Sequence, residues 1–183
     1  MNLYQTTKRL KLQVLPPYYY KQVLAFYKEN AMHLEPWEAK RDKNFYTEKY
    51  QKALLEAEYN MVLKSKMFRF YTSLKEDPDR IMGSVSLTNI QRGAFMTCTI
   101  GYKIHENFCN QGYGKEAVSL VMKLAFEECG LHRIEAMVHP ENEPSIRLLT
   151  SLGFKREGIA VSSAMLHGVW QDMYRYAVIN PEQ

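Results

Sequence analysis

Charged and apolar residues alternate over residues 7–15 (Arg9, Leu10, Lys11, Leu12), the period of a strand with one face buried. Pro16 and Pro17 end it, and residues 18–30 follow as an amphipathic helix. A second helix is predicted over 45–64, with Tyr46, Tyr50, Leu54 and Ala57 on one stripe. Residues 68–74 are β-rich and lead into the turn Asp77-Pro78-Asp79. Residues 81–89 and 95–104 read as strands on either side of a turn at Arg92-Gly93. The next helix, 113–129, carries Ala117, Val121, Leu124 and Ala125 on one face and stops at Gly130. Residues 134–138 form a short strand of buried character. Asn142 reads as the N-cap of a last helix, with Pro144 in its first turn, Ile146, Leu149 and Leu152 inward, and Gly153 just past its end. Two strands, 154–161 and 169–179, close the chain. This order predicts an α/β protein built on a mixed, mostly antiparallel sheet of about seven strands with flanking helices.

Composition narrows the class. The chain has 183 residues, and no repeat, low-complexity tract or linker divides it, so a single domain over 1–183 is expected. With 46% hydrophobic residues it is too apolar to be disordered. The most apolar stretch, 117–126, is interrupted by Lys123 and falls short of the roughly 20 residues a bilayer requires. The N-terminus lacks a basic-then-apolar leader, and a cytoplasmic protein without membrane attachment is expected. Three cysteines, Cys98, Cys109 and Cys129, contain no C-x-x-C pair, which argues against a disulfide framework or a metal site. A net charge of +4 tolerates an anionic ligand but is too small and dispersed to argue for nucleic acid. Tyr18-Tyr19-Tyr20 point in three directions on a helix, so packing between helix and sheet explains them better than base stacking.

The segment 107–117 carries the chemistry. Gly112 and Gly114 let the backbone approach a ligand at the start of a helix, where unpaired N–H groups and the positive dipole end attract an anion. A pyrophosphate is the natural guest, and Lys115 can add a charge-assisted contact. A glycine pair also serves an ordinary tight turn. The spacing is not that of a P-loop, and the third glycine and ribose-binding acid of a dinucleotide site are missing.

Several further pieces surround this loop: Asn89 with Arg92-Gly93, Ile100-Gly101-Tyr102-Lys103-Ile104, Glu116-Ala117, His132-Arg133-Ile134, Asn142-Glu143-Pro144-Ser145 and Leu152-Gly153-Phe154. Glu157-Gly158, Gly168 to Trp170 with Asp172, and His33-Leu34-Glu35-Pro36-Trp37 near the N-terminus add to them. Together they resemble the GNAT family of N-acetyltransferases, and within it the RimJ/RimL-like ribosomal-protein N-terminal acetyltransferases. The likeness is densest from about residue 81 onward.

The resemblance implies a GNAT fold with acetyl-CoA, as co-substrate and without a metal, in a V-shaped cleft between two splayed strands. Asn110, Gln111, Gly112, Tyr113, Gly114 and Lys115 would wrap the pyrophosphate. The strand edge at Tyr102, Lys103 and Ile104 would bond the pantetheine amides, and Asn142 would meet the cofactor near the last helix. Residues 35–37 either shape the acceptor cleft or, for Trp37, belong to the core.

This chain departs from the family pattern at several points. Cys109 stands at the first loop position, usually Gln or Arg. Thr97-Cys98-Thr99 lacks the catalytic glutamate many members carry there. Leu149 replaces the tyrosine many members use to protonate the departing thiolate, and Ala164 stands where RimL-like members have a later glutamate. Ser145 matches a serine of RimL-like members and is the candidate catalytic residue; its plain alternative is a first-turn hydroxyl capping the helix. Glu106, Glu157 and His139 are candidate bases without an assigned place.

Proton arithmetic bears on the acceptor. At pH 7 an α-amine is neutral to roughly 10–15%, a lysine amine only to about 0.04%, a gap of about 3.4 kcal/mol. Losing a dedicated base therefore harms an α-amine acetylase least. The expected acceptor is an α-amine, with a (ribosomal) protein N-terminus as the first choice, attacking the thioester directly. A small-molecule amine is the runner-up, and a non-catalytic acyl-CoA-binding sensor is the reading from another class. The chain leaves open whether the protein is a monomer or a homodimer.

Overall fold

The computed structural model describes residues 2–182. Its eight strands form one sheet: β1 (Tyr4–Thr6), β2 (Leu10–Gln13), β3 (Phe68–Leu74), β4 (Gly83–Gln91), β5 (Thr97–Ile104), β6 (Arg133–Val138), β7 (Lys155–Leu166) and β8 (Val169–Ile179). The spatial order is β1-β2-β3-β4-β5-β6-β8-β7. Every neighbouring pair is antiparallel except β5 and β6. The α-helices are α1 (Tyr20–Glu29), α2 (Ala31–Leu34), α3 (Glu48–Leu63), α4 (Tyr113–Glu127) and α5 (Glu143–Ser151).

The eighth strand is β1, which precedes the expected strand over 7–15; that strand is β2, and the two form a hairpin. Thr7 makes the turn: its N–H donates to the Leu10 carbonyl at 3.0 Å, and its hydroxyl accepts from the Leu10 N–H at 2.9 Å. A turn made by a threonine side chain, without Gly or Pro, leaves the alternation of the flanking strand unbroken.

The second predicted helix also shifts. Residues Lys43–Tyr46 form a separate 3-10 turn, and Thr47 caps α3, accepting from the Tyr50 N–H. The buried face of α3 is Gln51, Leu55, Glu58 and Val62; the expected stripe is rotated away, with Tyr50 and Ala57 exposed. Two buried polar residues set this face. The Gln51 amide donates to the Phe45 carbonyl at 2.7 Å, and Glu58 accepts from the Tyr71 hydroxyl at 3.2 Å and pairs with Arg69 at 3.2 Å. A stripe chosen by hydrophobicity alone passes over them. The last helix matches its expectation: Asn142 Oδ1 accepts from the Ser145 N–H at 3.2 Å, and Gly153 follows with φ +86°.

Two apolar clusters flank the sheet. The larger packs α4 and Leu149 of α5 against β2–β6; the smaller joins α1, Phe45 and Leu55 to Tyr71 and Leu15. Tyr19 and Tyr20 pack onto the smaller cluster, while Tyr18 faces solvent.

The seam between β5 and β6 decides where a ligand can enter. Only three pairs join these strands, Thr97↔Arg133, Cys98↔Ile134 and Thr99↔Glu135. Beyond them β5 pairs only with β4, and β6 only with β8. The strands separate, as the V-shaped cleft requires.

Candidate active site

A cavity of about 590 Å³ fills the gap between the separated strands. Residues 100–104 of β5 form one wall and 136–138 of β6 the other. The loop before α4 and the first turns of α5 also line it, and His33, Leu34, Trp37 and Glu38 complete the lining.

The loop is shaped by backbone conformations that sequence only partly announces. Asn110 (φ +59°) and Gly112 (φ +80°) are left-handed, which curls the chain into the helix start. Gly112 is the N-cap of α4 and supplies no side-chain cap, so the N–H groups of the first turn keep no partner within the helix. Gly114 is needed for close approach: a Cβ there would stand 3.0 Å from Leu148 Cδ1 and 3.4 Å from Ile104 Cγ1. This uncapped, glycine-lined turn fits the pyrophosphate of a coenzyme A thioester.

Asn110, Gly112, Gly114 and Lys115 line the cavity, as do Tyr102, Lys103, Ile104, Asn142 and Ser145. Gln111 and Tyr113 turn outward. The Gln111 amide donates back to the Asn107 carbonyl at 2.8 Å, and the Tyr113 ring lies under the Arg9 guanidinium at 4.2 Å. Any part these two play toward a ligand falls to their backbone.

Ser145 Oγ lies 2.7 Å from Tyr102 Oη. Burial pushes the Tyr102 phenol up to about 12, against a lowering hydrogen bond with Ser145, so the phenol stays protonated at neutral pH. This pairing was invisible in sequence, where Tyr102 counted only as a strand-edge residue. Leu149 is fully buried in the larger core. The phenol facing this cleft therefore comes from strand β5 and not from the last helix.

Glu38 is the only carboxylate among the described residues that line the cavity. Lys103 Nζ holds its Oε1, and Arg41 holds its Oε2 with Nε at 2.9 Å. Burial pushes the Glu38 carboxyl up, but Lys103 and Arg41 more than offset this and hold it below the ordinary carboxylate range. Glu38 follows directly on the segment His33–Trp37 that carries the family likeness.

The candidate bases fare differently. His139 lines the cleft, its ring 5.9 Å from that of Trp37. Its Nδ1 accepts from the Glu141 N–H at 3.2 Å, which puts the proton of the neutral ring on Nε2. Glu157 is tied to Arg133 at 2.9 Å and lies outside the cavity lining. The Arg133 hydrogen bond, against slight burial, holds its carboxyl below the ordinary range. Glu106 starts the exposed turn before the loop and does not line the cavity.

Trp37 is half-buried in the cleft wall. Cys109 sits at the loop entrance, 3.7 Å from His33 Nε2; burial and Glu106 raise its thiol, which disfavours the thiolate. Burial pushes Cys98 up to about 12. Among the described residues no group of three or more His, Cys, Asp or Glu is arranged to hold a metal, and no helix is long and apolar enough to cross a membrane.

The comparisons with known proteins agree with this fold. The family model for the acetyltransferase (GNAT) domain matches residues 9–155. The probable N-acetyltransferase YjcK of Bacillus subtilis (strain 168) is 37% identical over 159 residues, 87% of each chain. The structure of the ribosomal-protein-S5-alanine acetyltransferase from Vibrio fischeri superposes with a TM-score of 0.93 at 28% identity, covering 99% of this chain and 98% of the other. Mycobacterium smegmatis RimJ in complex with CoA-disulfide superposes with a TM-score of 0.88 at 25% identity, covering 94% and 83%. With its splayed strands, its uncapped glycine turn and a family match over most of its length, this chain belongs to the GNAT family of acetyl-CoA-dependent N-acetyltransferases.

Proposed function

We propose that this enzyme acetylates the α-amine of a protein N-terminus in the cytoplasm, a ribosomal protein being the first choice, by direct attack on the thioester of acetyl-CoA. The observation that carries this reading is the state of Glu38. The one carboxylate among the described residues that line the cleft is ion-paired on both oxygens and held in its charged form, which makes it a weak base. A cleft so furnished favours an amine that is already neutral in part at pH 7. The roughly 300-fold advantage of an α-amine over a lysine amine then favours an α-amine acceptor. The likeness to a ribosomal-protein-S5-alanine acetyltransferase supports the same acceptor.

The pair Tyr102–Ser145 serves the leaving group. Either hydroxyl can be the donor of this bond; with the phenol donating to Ser145 Oγ, the serine proton is free to point at the departing sulfur. Protonating that sulfur from the phenol is uphill, since an ordinary thiol titrates near 8.5 and Tyr102 near 12. The pair therefore acts as a hydrogen-bond donor to a thiolate, a fixed dipole aimed where charge develops; solvent takes the proton that the attacking amine loses and returns one to the thiolate. Asn142 holds the Ser145 N–H and so orients the residue.

The acetyl group stays with its cofactor until the amine arrives, so the test is thiol release against N-terminal peptides, α-blocked and lysine-blocked controls, and spermidine. Peptides with a free α-amine should react and α-blocked ones should not. The rate should rise with pH to a plateau above the α-amine pKa of about 7.7–8.0. Lysine side chains or spermidine reacting as fast as N-termini at pH 7 would overturn the reading.

A further inference from the structure

Arg9 stands just before β2, 107 residues from Glu116, yet it holds the outer side of the loop before α4 by three different contacts. Its Nε donates to Glu116 Oε2 at 2.7 Å, its Nη1 donates to the Gln111 carbonyl at 3.0 Å, and its guanidinium lies 4.2 Å from the centre of the Tyr113 ring. Its Nη2 is 3.4 Å from where a Cβ on Gly112 would be. The residues on both sides of Gly112 are thus fixed by one side chain, in a turn that has no side-chain cap of its own.

The electrostatics make this more than a brace. Glu116 lies in the first turn of α4, so it places a negative charge beside a turn suited to an anion. The carboxylate is held there independently of the arginine side chain: the Thr7 hydroxyl and the Arg9 backbone N–H both donate to Oε1. If the guanidinium is removed, the carboxylate stays in place with its charge exposed to the loop.

We propose that Arg9 is a positioning residue for acetyl-CoA, ordering the pyrophosphate loop from outside the cleft and masking the charge of Glu116. The inference rests on the use of acetyl-CoA and is independent of the acceptor. Neither residue lines the cavity, so the effect passes through the loop backbone and through the field at the helix start.

The test is calorimetric binding of CoA and of pantetheine, which lacks the pyrophosphate, and it needs no turnover. Arg9→Met should weaken CoA about tenfold and leave pantetheine unchanged. Adding Glu116→Gln to Arg9→Met should recover part of that loss, because the unmasked charge is gone. A purely structural clamp predicts the reverse, since the double variant has lost both partners. Equal weakening of both ligands, or a double variant no better than Arg9→Met, would overturn the proposal. Arg9→Gln, compared with its own Glu116→Gln double, carries the same test if the methionine variant does not fold. Failure of acetyl transfer to N-termini would leave these binding results standing and would count only against the acceptor.

Discussion

Ser145 and Tyr102 are 43 residues apart in sequence and in hydrogen-bond contact in the cleft. Their arrangement in series makes a quantitative claim. A charge-assisted bond to a leaving thiolate is worth about 1.5–3 kcal/mol, so Ser145→Ala should lower kcat on the order of 30-fold with little change in KM. Tyr102→Phe removes only the polarising bond behind the serine, about 1 kcal/mol, and should cost roughly fivefold. The double variant should be no slower than Ser145→Ala, because the phenol acts through the serine; steady-state kinetics of the cycle would reveal independent roles as additive losses. Ser145 was legible as a candidate because the family likeness and the N-cap at Asn142 fix its place. The Tyr102 backbone was legible from its place on the strand edge, whereas its hydroxyl gains a partner only in the folded chain. Glu38, 65 residues from Lys103, and Arg9 belong to the same class: side chains given meaning by a tertiary contact. In sequence Arg9 was simply the polar half of an alternating strand.

The loop before α4 shows the same division for an element. Its glycines, helix start and anion character followed from residue types and spacing. Alanine is the better helix former at position 114 by about 1 kcal/mol, yet its Cβ would press on Leu148 and Ile104 in the cleft. Gly114→Ala should therefore leave the thermal midpoint nearly unchanged and raise KM for acetyl-CoA on the order of tenfold. Gly112→Ala differs, because its left-handed backbone resists any Cβ and should cost about 1–2 kcal/mol of stability. Elsewhere, elements were misread where polar groups took a structural part. The Thr7 turn hid a strand, and Gln51 with Glu58 rotated α3 away from its most hydrophobic stripe. Patterning recognises apolar faces, and a buried amide or carboxylate with partners in another element has no local signature.

For the molecule as a whole, the order of elements and the split sheet were legible, because alternation, caps and glycine stops recur along the chain and the family likeness supplied the topology. The seam has a further consequence. Two half-sheets, β1–β5 and β6–β8, meet through three residue pairs, fewer than join any other long strands of the sheet. A pantetheine arm lying in the gap would bond one half-sheet along its free edge and rest against the other, serving as a splint between them. Amide hydrogen exchange should then slow on CoA binding at residues 100–104 and 136–138, and at 97–99 beside the seam, while β1 and the far end of the β7–β8 hairpin keep their rates. The substrate would be part of the architecture, its arrival completing a sheet that the polypeptide leaves unclosed.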